Sequence, residues 1–351
     1  MHRIIQLAII ITLFSYTAHA QTQSNCRTSY PFNPNIKPGV GGSFTFTRDG
    51  KTLLVPGLDG KIRFIDLASG ETKRTISGHT NYVYMANFNP NATLLTSSSR
   101  DNTARIWDVA SGQVLHTFDG FRCAVKVAKF SPDGKLLAAS GNDGMLKLYD
   151  VKSYKELKSM VHRESPNIDM ATYALIFSRD GKQIYAANGD GTISVWDVAS
   201  GKEIRNWQAH PNIALKLVLS PDYRHLISLG DELVKVWDTS TWREIATLSI
   251  PRTAQDSNIS ASALAISHHG KLIAASYIEL DSKRTTYLAV NTIVWNAKTG
   301  EKLFTLGGHK FDINGVIFTP DDRYLLTGGI DASIKFWDMR DGQLTRTIII
   351  K

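Results

Sequence analysis

The stretch GHTNYVYMANFNPNATLLTSSSRDNTARIWDVASGQVLHTF, residues 78–118, decides the fold. Val83, Met85 and Phe88 give an inner strand between Tyr82 and Phe88, with Ala86 breaking strict alternation. Asn89-Pro90-Asn91 turns the chain into a second strand at Leu94-Leu95-Thr96-Ser97, and Arg100-Asp101-Asn102 turns it into a third, Thr103 to Trp107. Ala110-Ser111-Gly112 then leads to an outer strand, Val114 to Phe118. Four short runs joined by tight turns make one small antiparallel sheet.

The pattern returns seven times. Each copy ends its third strand on an aromatic residue or Ile followed by an acid or amide: Ile65-Asp66, Trp107-Asp108, Tyr149-Asp150, Trp196-Asp197, Trp237-Asp238, Trp295-Asn296 and Trp337-Asp338. Positions 65, 107, 149, 196, 237, 295 and 337 are spaced by 42, 42, 47, 41, 58 and 42 residues. A period of about 40–45 with four strand signals per unit marks a propeller blade. Apolar residues alternating at two, not at 3.6, exclude helical repeats. The first turn recurs as Asp49-Gly50, Pro132-Asp133-Gly134, Asp180-Gly181, Pro221-Asp222, His269-Gly270 and Pro320-Asp321, where Gly accepts the positive φ of a tight hairpin. The expected architecture is all-β, a seven-bladed propeller of four-stranded antiparallel blades near 41–78, 79–120, 121–162, 163–209, 210–250, 251–307 and 308–351.

These residues resemble the WD-repeat β-propeller family over roughly residues 40–350. The family's Gly-His pair stands as Gly78-His79 and Gly308-His309, with a degenerate Ala209-His210. The resemblance implies that this His bonds an Asp in the second hairpin turn and, through a Ser or Thr, the Trp of the third strand. The sets are His79, Ser97, Asp101 and Trp107 in blade 2, and His309, Thr327, Asp331 and Trp337 in blade 7. The Asp recurs six residues before the aromatic or Ile as Asp59, Asp143, Asp190 and Asp231, while blade 6 has Ala289 there. A His-Ser-Asp trio also suggests a serine hydrolase. Repetition in two blades and a tie to an indole instead suit a structural network.

Composition narrows the classes. The chain has 351 residues, 42% hydrophobic and 21% charged, ample for a packed core and against wholesale disorder. Two Cys cannot form a disulfide scaffold in a chain of this length. The net charge of +8 is mild, and no clustered basic run points to nucleic acid.

His2 and Arg3 precede an apolar run, Ile4 to Phe14, and Ala18-His19-Ala20 offers small residues where a signal peptidase cuts. A signal peptide over 1–20, cleaved after Ala20, is therefore expected, with a mature protein in the periplasm or secreted beyond it. No later stretch is apolar enough to span a bilayer. Residues 21–40 carry Pro31, Pro34 and Pro38 and read as an extended arm on the surface, or as an added strand beside blade 7. Every blade has four local strands, blade 7 ending on Gln343 to Ile349, so no strand exchange is needed to close the ring. Cys26 on the arm and Cys123 in the loop leading into blade 3 either form a disulfide across the loop-rich face or stay as thiols.

The loops leading into the inner strands and those joining second to third strands share that face. Tyr82, Tyr84, Lys126, Tyr173, Phe311 and Asn314 are expected near it, joined by Arg100, Asn142 and Ile330. The blade 6 connection from Tyr277 to Asn291 is longer than its counterparts and adds Asp281, Lys283, Arg284 and Tyr287. His268-His269 reads as a turn without the further ligands of a metal site, and no cofactor motif is present. The reading is a monomeric, non-catalytic scaffold for a protein or peptide. The alternatives are an extracytoplasmic hydrolase or lactonase using the central funnel, and a binder of glycan or another envelope ligand by stacking on Tyr82, Tyr84 and Tyr173.

Overall fold

In the computed structural model, which describes residues 38–162 and 171–351, each repeat folds into its own four-stranded antiparallel sheet with strands in chain order. Blade 2 runs Val83–Phe88, Leu94–Ser99, Ala104–Asp108 and Val114–Phe118. Blade 1 begins with a two-residue inner strand, Thr45–Phe46, and blade 7 ends on its own outer strand, Leu344–Ile349. Gly50, Gly134, Gly181 and Gly270 hold the positive φ of the first turn. Ala92, Tyr223 and Asp322 adopt it in the blades that lack Gly there, at a steric cost that Gly avoids.

Seven apolar clusters hold the sheets together, each shared by two neighbouring blades. The motif aromatic, or Ile65 in blade 1, is buried against the preceding blade in every case. Trp107 lies with Leu54, Ile62 and Phe64 of blade 1, and Trp337 with Val294 and Leu306 of blade 6. Ile65 lies with Leu326, Ile334 and Phe336 of blade 7, which makes the stack a closed ring. Burial of apolar area between blades, about 25 cal/mol per Å², thus acts at seven equivalent seams.

The last seam is built from residues far apart in sequence. Phe44 of blade 1 lies over Gly315 and Gly328 of blade 7, where an added Cβ would fall 2.8 and 2.1 Å from its ring. Val40, fully buried, donates its backbone N–H to Gly329 O (3.1 Å) and accepts from Asn314 Nδ2 (2.9 Å). Gly41 N–H reaches Pro56 O, and Ser43 N–H reaches Tyr84 O of blade 2. Gly39 and Val40 therefore enter the seam and do not lie over the surface; residues 21–37 are outside the described residues. At the other end, Arg63 Nε donates to Lys351 O (3.2 Å).

Blade 6 departs from the expected long loop. Its second and third strands continue as Leu272–Leu280 and Tyr287–Asn296, and its inner strand as Asn258–Ile266. The extra residues of the Tyr277 to Asn291 connection are thus paired sheet closed by a short turn. Alternation over 272–280 was hidden by Ala274, Ala275 and Ser276, small residues that sit on both faces. Buried Glu279 fastens the preceding loop by accepting from Thr253 N, Thr253 Oγ1, Ala254 N and Ser257 Oγ.

Candidate functional site

The inner strands of blades 2, 3, 4, 6 and 7 each carry a β-bulge, and the extra residue is Tyr84, Lys126, Tyr173, Ser262 and Asn314 in turn. A bulged residue is released from the ladder and re-aimed. Four of the expected contact residues occupy these positions. The Lys126 ammonium lies over the Tyr84 ring at 4.1 Å and faces the Tyr173 ring at 5.8 Å, linking blades 2, 3 and 4. Such contacts contribute on the order of 0.5–2 kcal/mol. Alongside, the Arg100 guanidinium lies 5.3 Å from the Tyr82 ring, and burial raises the Tyr82 hydroxyl above the usual phenol value. Asn142 is exposed on the same face.

The backbone fixes the loops of this face to one another. Arg100 N–H donates to Tyr82 O, Asn142 to Ala124 O, and Ile330 to Asp312 O, each within its own blade. The extended blade 6 hairpin reaches blade 7, where Tyr287 donates to Asp312 (3.3 Å) and meets Phe311 edge-on at 6.0 Å. Asp281 caps the tip by accepting from Thr285 N and Thr286 N, with Arg284 at a φ of 56° and Lys283 exposed. Asn314 is committed to the ring seam through Val40, so its amide serves closure.

The His–Asp sets are tied into the blades by hydrogen bonds. In blade 2, His79 Nδ1–H donates to Asp101 (2.8 Å), Ser97 Oγ–H to His79 Nε2 (2.7 Å), and Trp107 Nε1–H to Ser97 Oγ (2.7 Å). Asp101 also takes Thr80 N, Thr103 N and Thr103 Oγ1. Burial lowers the His79 pKa, which keeps the ring neutral. Burial opposes ionisation of Asp101, yet the His79 and Thr103 bonds outweigh it and hold the carboxyl far below its usual range. Ser97 is fully buried and already carries an indole N–H, so this trio cannot present a nucleophile to a substrate. Blade 7 repeats the set with His309, Asp331, Thr327 and Trp337; there Asp331 falls to about 2.

The other four Asp found different partners. Asp59 takes a two-pronged Arg63 guanidinium (3.0 and 2.6 Å). Asp143 caps the leading loop of blade 3 through Arg122 N (3.0 Å). Asp190 bonds His162 (3.3 Å), which also meets Glu203 at 2.9 Å. His162 went unrecognised because it stands one residue before the place the repeat reserves for His. In blade 5, His210 Nε2 and Trp237 Nε1 both meet Ser228 Oγ, but His210 Nδ1 has no partner among the described residues. Asp231 follows Ser228 by three residues where Asp101 follows Ser97 by four; the shorter hairpin sends its carboxylate to Asn212 (3.3 Å).

Replacing Asp101 with Ala is expected to cost about 1–3 kcal/mol, because buried His79 Nδ1–H loses its acceptor and the Thr80 and Thr103 N–H groups lose theirs nearer the surface. A depressed carboxyl stabilises above its unfolded pKa and ceases to as pH falls through the folded one. Denaturant melts should therefore separate wild type from variant at pH 7 and bring them together as the pH drops well below about 4.

Among the described residues no three His, Cys, Asp or Glu side chains are grouped to hold a metal ion. His268 and His269 both face Asp322 of the blade 7 turn, at 3.2 and 2.6 Å. Cys123 is buried in the loop leading into blade 3, and Cys26 lies outside the described residues. No helix among the described residues is long and apolar enough to cross a membrane.

Set beside known families, residues 70–108, 112–150, 158–197, 201–238 and 300–338 match the WD domain, G-beta repeat, together more than half of the chain. Periodic tryptophan protein 2 homolog of Mus musculus is 22% identical over 182 residues, 40% of this chain and 18% of that protein. Ribosome assembly protein 4 of Saccharomyces cerevisiae is 40% identical over 55 residues, 15% of this chain and 11% of that one. Serine-threonine kinase receptor-associated protein of Gallus gallus is 37% identical over 75 residues, 21% of each. The matches span about a fifth or less of these relatives' own length.

Proposed function

This chain belongs to the WD40 family of G-beta repeats, and from that premise we propose that it is a non-catalytic scaffold that binds a protein or peptide on its loop-rich face. Propellers of the family generally bind protein partners, and a fold hosts a function only through a site. The observation that carries the reading is the Tyr84–Lys126–Tyr173 row with Arg100 over Tyr82 beside it. Aromatic and Arg side chains held on a rigid frame are the usual anchors of protein contacts. The rings stand on bulges of inner strands or beside them, so little conformational freedom is lost on binding.

The experiment is affinity capture with the wild-type chain against Tyr84→Ala and Arg100→Ala. Loss of a hot-spot anchor weakens binding by about 2 kcal/mol or more, so the variants should lose a partner that wild type retains. Retention of every partner by both variants removes this face from consideration.

The scaffold acts outside the cytoplasm in this reading, which rests on the charged, apolar and small-residue order of residues 1–20. Cys26 and Cys123 are then joined, since an oxidising compartment favours the pair. An intact mass of protein from its source, taken without reductant, checks both. It should begin at Gln21 and lie two hydrogens below the reduced chain; an N-terminus retaining residues 1–20, or two alkylatable thiols, refutes the corresponding half.

A further inference from the structure

The inner strands that face the axis carry three lysines, Lys126 and Lys129 on Val125–Phe130 of blade 3 and Lys216 on Lys216–Leu219 of blade 5. None of the seven inner strands contains an Asp or Glu. Lys126 is accommodated by two tyrosine rings. Lys129 and Lys216 have no carboxylate, hydrogen-bond acceptor or ring beside their ammonium groups among the described residues. Burial lowers Lys129 to about 8. Burial, then the charges of Lys126 and Lys129 reaching across blade 4, lower Lys216 to about 8 as well.

A fourth group points the same way. The ladder register places Asn87 of blade 2 at the level of Lys129, since Phe88 pairs with Leu95 as Phe130 pairs with Leu137. Thr45 Oγ1 occupies Asn87 Oδ1 (3.1 Å), while Asn87 Nδ2 is buried with no acceptor among the described residues. Donors buried without acceptors are rare and call for a reason, and like charges set around one channel with no counter-charge beside them disfavour one another. A bound anion answers both.

We propose that the central channel, where Lys126, Lys129, Lys216 and Asn87 gather on acid-free inner strands, is a binding site for an oxyanion, a phosphate or carboxylate group. The site does not require the protein partner proposed above. The anion is either a free ion or the acidic side chain of a bound peptide.

Inorganic pyrophosphate and a tetraglutamate peptide, used separately, distinguish these sources in thermal melts and calorimetric titrations of the full chain. Either probe should raise the melting temperature of wild type. A response to pyrophosphate assigns a free ion, and a response to the peptide alone assigns an acidic segment. Lys129→Met with Lys216→Met should melt higher than wild type in plain buffer, because two uncompensated charges are gone. It should also bind the probe roughly tenfold more weakly or worse, a loss of about 1.4 kcal/mol or more. Lys129→Arg, which keeps the charge, and Lys135→Met, exposed on the turn that follows the strand, should both respond as wild type does. No response of wild type to either probe overturns the proposal, and so does an undiminished response in the double variant.

Discussion

Phe44→Ala is expected to destabilise the protein by about 3–5 kcal/mol, the range for emptying a buried Phe site. The ring is the piece of blade 1 that fills the gap left by Gly315 and Gly328 of blade 7, so the void opens where the ring closes. Neighbouring blades meet everywhere else through residues close in sequence, and at this seam the chain must bring residues 40–44 to 313–350. The loss should appear in denaturant melts followed by tryptophan fluorescence. Gly328→Ala provides the counterpart. In wild type its Cβ meets the Phe44 ring at 2.1 Å and destabilises, whereas in the Phe44→Ala background that clash is gone and only the Val40 side chain, at 2.8 Å, must give. The two changes should therefore be less than additive by about 0.5–3 kcal/mol. Strict additivity would mean that Phe44 and Gly328 do not share the seam.

Trp107→Ala carries a comparable loss, about 3–5 kcal/mol, by a different route. The indole is almost fully buried between blades 1 and 2, and its N–H is the donor that occupies Ser97 Oγ. Removing it empties the interface and leaves the His79–Ser97–Asp101 set short of one partner. Trp107→Phe keeps most of the apolar area and should cost less, chiefly the unmet hydroxyl acceptor, about 1–3 kcal/mol. Blade 3 shows the arrangement without that network: Tyr149 takes the Trp position and Phe121 and Ala139 stand where His79 and Ser97 would be. Equal melting curves for Trp107→Phe and wild type would show that the indole bond contributes nothing.

What the sequence makes legible follows from range. The blade is a local object, so the strand alternation, turn residues and aromatic-Asp pairs around 78–118 suffice to draw it, and closure without strand exchange follows from counting strands. The two complete His–Asp sets are legible because every member lies within one repeat. Long-range choices are not. Nothing local tells that Val40 and Phe44 meet Gly315, Gly328 and Gly329, although glycines at these positions are in hindsight the mark of a close approach. Asn314 is legible as a residue of the loop-rich face but not as a seam residue, since its partner is on the far end of the chain. Substituted blades are harder still. Arg63 replaces His opposite Asp59, and His162 reaches Asp190 from an offset position, because a carboxylate accepts any well-placed donor. The lysines at 129 and 216 read as ordinary polar positions of an alternating strand, and their isolation emerges only when the ring sets them around one axis.

The account stands on the loop-rich face as the place of recognition, and site-specific cross-linking tests that directly. A photoreactive side chain at Arg122 or Asn142, both exposed on that face, is set against one at Lys135 or Lys182, exposed on the first turns at the opposite ends of the inner strands. The account predicts a discrete adduct with a protein partner from the first pair and none from the second. Adducts confined to Lys135 and Lys182 would contradict it.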